Sequence, residues 1–387
     1  MNFCMITTFY PPYSFGGDGT FVRDLAVELA VRGHEVDVIH CRDAYRALGG
    51  VAVTRPEEAT PNVTVHGLES RLGALSPLAT HQTGRPILKR RRIEEVLRKR
   101  FDVIHYHNVS LVGGPAVLQQ GRALKLYTLH EYWLVCPTNL LLRDGRTPCV
   151  TPRCAPCTLR QRRPPQLWRR TRLLDRSLRC IDAFLSPSRF AAAQHARLGL
   201  TAPVVHLPTF VPTAEPVARA TPAEPYFLYA GRLEHAKGTH TLLEPFRAWG
   251  KAKLIVAGAG SEERRLREAA TGTDRIELTG QVPRDGLRTL YRNAVAVIVP
   301  SLTYELFPLV ILEAFREGTP VIARDHGSLP EPVHDSGGGL LYRDDRELIA
   351  RAERLLRDPA LRDELGARGL AAVRGRWSAD AHIARYL

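Results

Sequence analysis

The stretch VAVIVPSLTYELFPLVILEAFREG, residues 295–318, decides the fold. Val295 to Val299 is an apolar run closed by Pro300, a short polar loop carries Glu305, and helical spacing then runs from about Pro308 to Gly318. Pro308 suits a first helical turn, where its missing N–H would have no intrahelical partner anyway, and Gly318 suits the stop. The pattern reads as a strand, a loop and a helix. It delivers the amides of Leu306 and Phe307 to a helix N-terminus, a place that attracts anions. Glu305 in the loop and Glu313 inside the helix put two carboxylates beside that anion site. A ligand carrying both phosphate and hydroxyls would give each a role.

Working outward, the second half of the chain repeats the alternation. Tyr226–Ala230 (YFLYA), Lys253–Ala257, Arg275–Leu278, Ala294–Val299, Pro320–Ala323 and Gly339–Tyr342 read as strands separated by helical patterns. The tail from Ala350 to Leu387 is helical and arginine-rich. Upstream, the Pro- and Ala-rich run VPTAEPVARATPAEP, residues 211–225, reads as a linker.

The first half opens as βαβ. Asn2 to Thr8 is a buried strand, Gly16-Gly17-Asp18-Gly19 a glycine loop, Phe21 to Arg32 an amphipathic helix closed by Gly33, and Val36 to His40 the next strand. Glycines at that turn let backbone amides approach a phosphate, or simply turn the chain; no G-x-G-x-x-G is present there. Asp102–His107 (DVIHYH), Lys125–Leu129, Ala183–Ser188 and Val204–Pro208 add strands. Ligands gather at the carboxyl ends of strands in open parallel sheets, so His105, His107, His130 and Glu131 are cleft candidates. Two alternating halves imply two doubly wound sheets facing across a cleft. The expected division is 1–210, a linker at 211–225, 226–370, and a final helix at 371–387 packing back toward the N-terminal domain.

Composition bounds the partners. The chain has 387 residues, 44% hydrophobic and 24% charged, which excludes disorder and leaves room for two domains. A formal net charge of +14 favours anionic partners: nucleotide, phospholipid headgroup or nucleic acid. Ile87 to Arg100 reads as a helix with Lys89, Arg90, Arg91, Arg92, Arg98, Lys99 and Arg100 off its apolar face. That face is either merely solvated or docks on anionic lipid with help from Leu72, Leu75 and Leu78. The N-terminus lacks the features of a signal peptide and no apolar run reaches membrane-span length, so a cytoplasmic location is expected, with peripheral attachment to the inner face of the membrane as an extension.

The cysteines do not form a secreted disulfide pattern. Seven is odd, and Cys136, Cys149, Cys154 and Cys157 cluster as C-x12-C-x4-C-x2-C. Four thiolates suit a tetrahedral structural zinc, and buried free thiols are the alternative; a fully protein-ligated zinc would leave no open position for catalysis.

The segment GRLEHAKG, residues 231–238, sets Arg232 and Lys237 just past a strand end, a cationic loop fit for a diphosphate. Together with Glu305 and Glu313 it makes the chain resemble the GT-B glycosyltransferases of family 4. The likeness spans nearly the whole length: Gly16-Gly17 with the helix to RGHEV, DVIHYH, TLHEYW, SPSRF, GRLEHAKG, the Gly258–Gly260 loop and the Glu-x7-Glu pair. The resemblance implies a retaining, nucleotide-sugar-dependent transferase that needs no cofactor for catalysis. It implies that Arg232 and Lys237 clamp the donor's diphosphate and that Glu313 accepts from the ribose hydroxyls. Glu305 would face the transferred sugar with the amides of Leu306, Phe307 and Leu309 nearby, and His130 would reach that sugar from the other domain. Gly16 and Gly17 would meet the phosphates, and Gly260 and Val282 would line the donor site, Val282 near the base. The expected acceptors are saccharides, lipid-linked or small molecules; nucleic acid is not expected.

Three positions depart from the family pattern: Pro308 where glycine is common, His326-Gly327 where two glycines are frequent, and Glu131 after His130 where Asp is usual. Two other readings stand beside this one. One is a GT-B phosphorylase or epimerase; the other is a zinc-bearing nucleic-acid binder, which would leave GR-x4-KG and the paired glutamates unexplained.

Overall fold

The computed structural model describes residues 1–51, 53, 59–213 and 224–387, and divides the chain into two units. The first comprises Met1–Asp144, Cys149–Leu207 and Arg385–Leu387; the second comprises Gly145–Pro148 and Pro208–Ala384. Residues 214–223 of the expected linker lie outside the described residues. The boundary falls earlier than 210 because the next residues belong to the second core: Val211 is 4% exposed, its amide donates to Trp377 O at 3.3 Å, and His382 Nδ1 lies 2.8 Å from Pro208 O.

In the first unit, strands β1 (Asn2–Ile6), β2 (Glu35–Cys41), β3 (Val63–Leu68), β4 (Val103–Tyr106), β5 (Leu124–Thr128), β6 (Ala183–Ser186) and β7 (Val204–His206) form one parallel sheet. Their order is β3-β2-β1-β4-β5-β6-β7. In the second, β8 (Tyr226–Ala230), β9 (Lys253–Ala257), β10 (Ile276–Gly280), β11 (Val297–Val299), β12 (Val321–Arg324) and β13 (Gly339–Tyr342) are ordered β10-β9-β8-β11-β12-β13. Each unit thus runs outward from its first strand in one direction, then returns and continues in the other.

Why these runs make sheets covered on both faces is plain in the second unit. Phe227 and Tyr229 of β8 join Leu254, Val256 and Ile298 in one core, while Tyr226, Leu228 and Ala230 join Ile255, Val297 and Val299 in the other. Neither face is left to water, so the strands read as continuous apolar runs and not as alternation. Every strand expected from such a run is present, with ends shifted by three residues at most. Strand β3 carried no such signal: it is an edge strand, mostly half-exposed, held by its pairing with β2.

Three helices differ from the sequence reading. The first begins at Gly17, a turn earlier than expected, with Gly16 as its N-cap. Gly19 makes this fit, since a Cβ there would stand 3.1 Å from Phe9 O and closer still to Ser14. The expected basic helix shrinks to Arg90–Val96, because Lys89 turns inward, 2% exposed, and donates to Ser76 Oγ and Leu111 O at 3.0 Å each. The helix after Glu305 runs Leu309–Arg316 with Pro308 as its N-cap, at φ −82° and ψ 96°, one step outside the first turn. In the tail, Asp358 ends one helix and caps the next, Pro359–Gly375, accepting from Leu361 N at 2.9 Å. The final helix, Ala379–Tyr386, ends within the first unit's share of the chain, where Tyr386 Oη lies 2.9 Å from His105 Nδ1.

Candidate active site

The second unit's strand order reverses between β8 and β11, which pair at Leu228 and Val297. Connections leaving the carboxyl ends of two such strands turn to opposite sides, and the crevice they leave is where open α/β sheets bind ligands. Residues 231–238 leave β8 there and residues 300–305 leave β11. Lys237 Nζ consequently meets Glu305 Oε1 at 2.7 Å across 68 residues of sequence.

Backbone packing enforces the meeting. Lys237 closes a single turn, His235–Lys237, that ends on Gly238 at φ +75°. A Cβ on Gly238 would collide with the Pro300 carbonyl, while Leu302 N donates to Ala236 O at 2.9 Å. Glycine lets the two loops touch. Ser301 Oγ donates to Glu305 Oε1 at 2.7 Å and Ser328 Oγ to the Glu305 carbonyl at 2.6 Å. Burial alone would raise the Glu305 carboxyl, but the Lys237 charge and hydrogen bond, the Ser301 hydroxyl and the nearby Arg232 charge outweigh it and hold the group below the usual carboxylate range. Arg232 itself pairs with Glu234 Oε1 at 2.7 Å and stays half exposed, so it adds field at Glu305 without touching it.

Just downstream, the amides of Leu306, Phe307, Leu309 and Val310 have no protein acceptor among the described residues. This is the donor-rich junction expected at a helix start. Phe307 and Leu309 also pack their side chains against the second core, as does Val282 beyond β10. One turn inside the helix, Glu313 Oε2 accepts from Tyr291 Oη at 2.8 Å, which fixes the carboxylate plane and leaves Oε1 available. The Gly258–Gly260 loop lies against residues 231–233: Leu233 N donates to Ala259 O at 2.9 Å, and a Cβ on Gly260 would fall on the Leu233 backbone. Gly260 therefore stacks one strand-end loop on another.

The first unit repeats the arrangement at its own reversal, between β1 and β4. Gly16, Gly17 and Asp18 begin the helix that follows β1, His107 and Asn108 follow β4, and His130 follows β5. His107 Nδ1 and His130 Nε2 lie 2.9 Å apart with rings stacked, and His105 Nε2 lies 2.8 Å from Thr128 Oγ1. Burial drives both His107 and His130 toward the neutral form, His130 to about 4 with the Asp18 carboxylate pulling weakly the other way. Glu131 is pushed up to about 8, by burial first and then by Asp18, against the 2.7 Å hydrogen bond from Asn139 Nδ2. Its Oε1 is shut off from solvent and unpartnered. At neutral pH this face offers neutral imidazoles, hydrogen-bonding groups without charge.

The four clustered cysteines are free. Cys157 Sγ accepts from Asp144 N at 3.3 Å and Gln161 Nε2 at 3.1 Å, Cys136 Sγ lies 3.3 Å from Thr138 Oγ1, and Cys154 is exposed. Burial, followed by the neighbouring thiols, raises Cys149 and Cys154 above the ordinary thiol range. Among the described residues no three His, Cys, Asp or Glu side chains gather to hold a metal ion, and no helix is long and apolar enough to cross a membrane.

Comparison with known proteins follows the same division. The model of the family described as Glycosyltransferase Family 4 matches residues 15–215, more than half of the chain, and that described as Glycosyl transferases group 1 matches residues 213–371. The chain belongs to glycosyltransferase family 4. A D-inositol 3-phosphate glycosyltransferase of Pseudarthrobacter chlorophenolicus is 28% identical, over 95% of this chain and 89% of its own. Among solved structures, sucrose-phosphate synthase from Thermosynechococcus elongatus superposes with a TM-score of 0.77 at 24% identity, covering 100% of this chain and 97% of that one. HepE of Anabaena in complex with UDP-glucose gives 0.70 at 17% identity, covering 100% and 98%. The fold is GT-B, and the enzyme is a glycosyltransferase.

For this family 4 transferase, sequence reasoning named Glu305, Lys237, Glu313 and His130 but missed Ser301, Ser328, Tyr291, Asp18 and Asn108 as partners. Ser301 stands directly after the strand-ending Pro300 and was open to the same strand-end argument. Tyr291, on the helix Arg284–Asn293, carried no local signal. Of the departures from the family pattern, His326 stacks on Tyr304 at 4.8 Å and 18°, so its loop reaches the one carrying Glu305.

Proposed function

We propose that the enzyme moves a sugar from a nucleotide diphosphate donor to an acceptor hydroxyl with retention of configuration. The observation that carries this reading is the Lys237–Glu305 pair at the strand-order reversal, beside four unpaired amides at a helix start. A cation and free amides suit a diphosphate; a carboxylate beside them suits sugar hydroxyls. Arg232 and Lys237 take the diphosphate, and Glu313, oriented by Tyr291, accepts from the ribose. Glu305 hydrogen-bonds the hydroxyls of the transferred sugar. The bond from the anomeric carbon to the diphosphate oxygen breaks as the acceptor oxygen bonds to that carbon on the same face. The acceptor's proton passes to the departing phosphate, so no enzyme nucleophile is assigned. UDP-sugars are the first donors to try, given the UDP-glucose complex of the Anabaena protein. Phosphorylated polyols join saccharides and lipid-linked acceptors, given the name of the Pseudarthrobacter relative.

The test is nucleotide release across a panel of nucleotide sugars and acceptors, for the wild type and Glu313→Ala. Loss of at least tenfold in kcat/KM supports the assignment, and equal rates refute it. A phosphorylase would instead require inorganic phosphate. The zinc expectation has no gathered ligand set among the described residues, so bound metal would require the thiols to draw together. Elemental analysis of the purified protein decides it: one zinc per chain supports that reading and none removes it.

A further inference from the structure

We propose that the first unit carries a second site, a pocket for the phosphate headgroup of an anionic lipid. It is an open cavity of about 480 Å³ between the end of the helix Leu75–Thr83 and the segment 167–176. Arg85, Arg172 and Arg176 line it together with the hydroxyls of Thr83 and Thr171. No carboxylate lines it, and among the described residues none of the three guanidinium groups has an acidic partner.

Part of the basic charge nearby is already spent. Arg90 and Arg91 pair with Glu94 and Glu95 at 2.7 and 2.9 Å, Arg160 pairs with Asp144 at 2.7 Å, and Lys89 is buried. The short helix Arg90–Val96 has thus satisfied much of its charge locally. The three arginines of the pocket keep their charge and share one cavity with two hydroxyls, the donor types a phosphate requires.

The pocket floor is closely packed. Trp168 is 4% exposed and its Nε1 donates to His81 O at 3.0 Å. Gly84, at φ +68°, closes the helix against it; a Cβ there would stand 2.8 Å from the Trp168 ring and 3.0 Å from Leu173. Glycine is what brings Thr83 and Arg85 against the indole.

The surroundings select a lipid over a soluble phosphate. Leu75, Leu78 and Gln82 share one helix face by their spacing, so the exposed leucines lead directly to the pocket, which Gln82 also lines. Ile87 and Leu88 follow Arg85 and are exposed, and Leu167, 55% exposed, lines the cavity itself. A free phosphate would leave these side chains in water. A headgroup in the pocket sets them at the depth of the acyl chains, the arrangement of interfacial membrane binders. The site lies wholly within the first unit and does not depend on the transferase reading.

The test is co-sedimentation of the full chain at low salt with vesicles of phosphatidylcholine alone or with 30% phosphatidylglycerol, a chosen composition of about that fraction. Binding is expected only with the anionic lipid. Arg172→Gln/Arg176→Gln should weaken it roughly 30-fold, at about fivefold per guanidinium, while Arg90→Gln/Arg91→Gln should change it less than about threefold. Leu75→Ser/Leu78→Ser, at exposed positions that do not threaten folding, should weaken it as well. No binding to anionic vesicles, or equal loss from the two arginine pairs, overturns the site. Full competition by glycerol 3-phosphate with no effect of the leucine substitutions overturns the lipid as its occupant.

Discussion

Lys237→Met separates the structural role of the Lys237–Glu305 pair, which joins two loops, from the donor-binding role proposed for it. The side chains are 25% and 16% exposed, so the pair is largely withdrawn from water. Removing the cation leaves Glu305 with the Ser301 hydroxyl and the field of the half-exposed Arg232, and breaking a buried pair from one side costs about 3–5 kcal/mol. Residual exposure and protonation of the stranded carboxyl reduce this to about 2 kcal/mol at pH 7.5. The sign with pH follows from the direction of the shift. In the wild type the Glu305 carboxyl is held below its ordinary range, so its stabilisation is full above the unfolded value near 4.5 and is lost as pH falls through the folded one. In Lys237→Met burial is opposed only by Ser301 and Arg232, so the carboxyl rises relative to the wild type and accepts a proton more readily. The stability gap between the two proteins should therefore be small near pH 4 and grow as pH rises toward 7.5. Urea unfolding at both pH values, followed by fluorescence of Trp249 and Trp377 in the second unit, measures it. Lys237→Met/Glu305→Gln should recover at least half of the loss. An equal gap at both pH values with no recovery would refute the pairing. On the proposed reading, in which Lys237 stabilises the departing diphosphate, turnover should fall about 10²–10³-fold in Lys237→Met and stay low in the double variant.

Glu131→Gln should gain stability relative to the wild type as pH rises from about 5 to 8. The native carboxyl is raised to about 8, so the folded state keeps a proton that the unfolded chain gives up, and stability falls over that window by up to a few kcal/mol, ~1.4 per unit; thermal unfolding against pH checks this, and parallel curves count against it. Tyr291→Phe should raise the donor KM about fivefold with little change in kcat, because it loosens Glu313 without removing it; a kcat loss with unchanged KM in steady-state kinetics would contradict that role. Gly258→Ala should unfold the second unit, since a Cβ at φ +145° overlaps the Gly231 carbonyl, whereas Gly33→Ala, at φ +83° with nothing within 4 Å, should cost only about 1 kcal/mol; similar midpoints in denaturant would show that the loop yields.

How far the sequence led depended on where each signal resides. Strands buried on both faces announce themselves as apolar runs, so β8, β9 and β13 were read with their ends in place. Strand β3, half-exposed at an edge, draws its conformation from β2 and had no pattern of its own. Lys237 and Glu305 were legible as strand-end residues because that rule is local, and the structure pairs them. Partners brought in by tertiary packing, Tyr291 from a neighbouring helix and Ser328 from the loop after β12, were not. The basic helix failed for a related reason: composition cannot tell a lysine that faces water from Lys89, which turns inward to Ser76 and Leu111.

The two units also explain why one strand order yields two different chemistries. In each, a first strand and a fourth strand lie side by side with their onward connections diverging, so each builds a crevice from the backbone alone. What fills it is set by a few residues just past the strand ends. The second unit places Lys237, Arg232 and unpaired amides there, with burial overcome by charge, and holds Glu305 ionised. The first places His107, His130 and Glu131 there, where burial wins and all three are held neutral at pH 7. A charged crevice suits phosphate; a neutral, hydrogen-bonding one suits hydroxyls. Exchanging the balance in one crevice, as Lys237→Met does, should therefore impair diphosphate binding while leaving the histidine cluster of the first unit unchanged, and the His130 ring resonances in NMR titration are the place to see it.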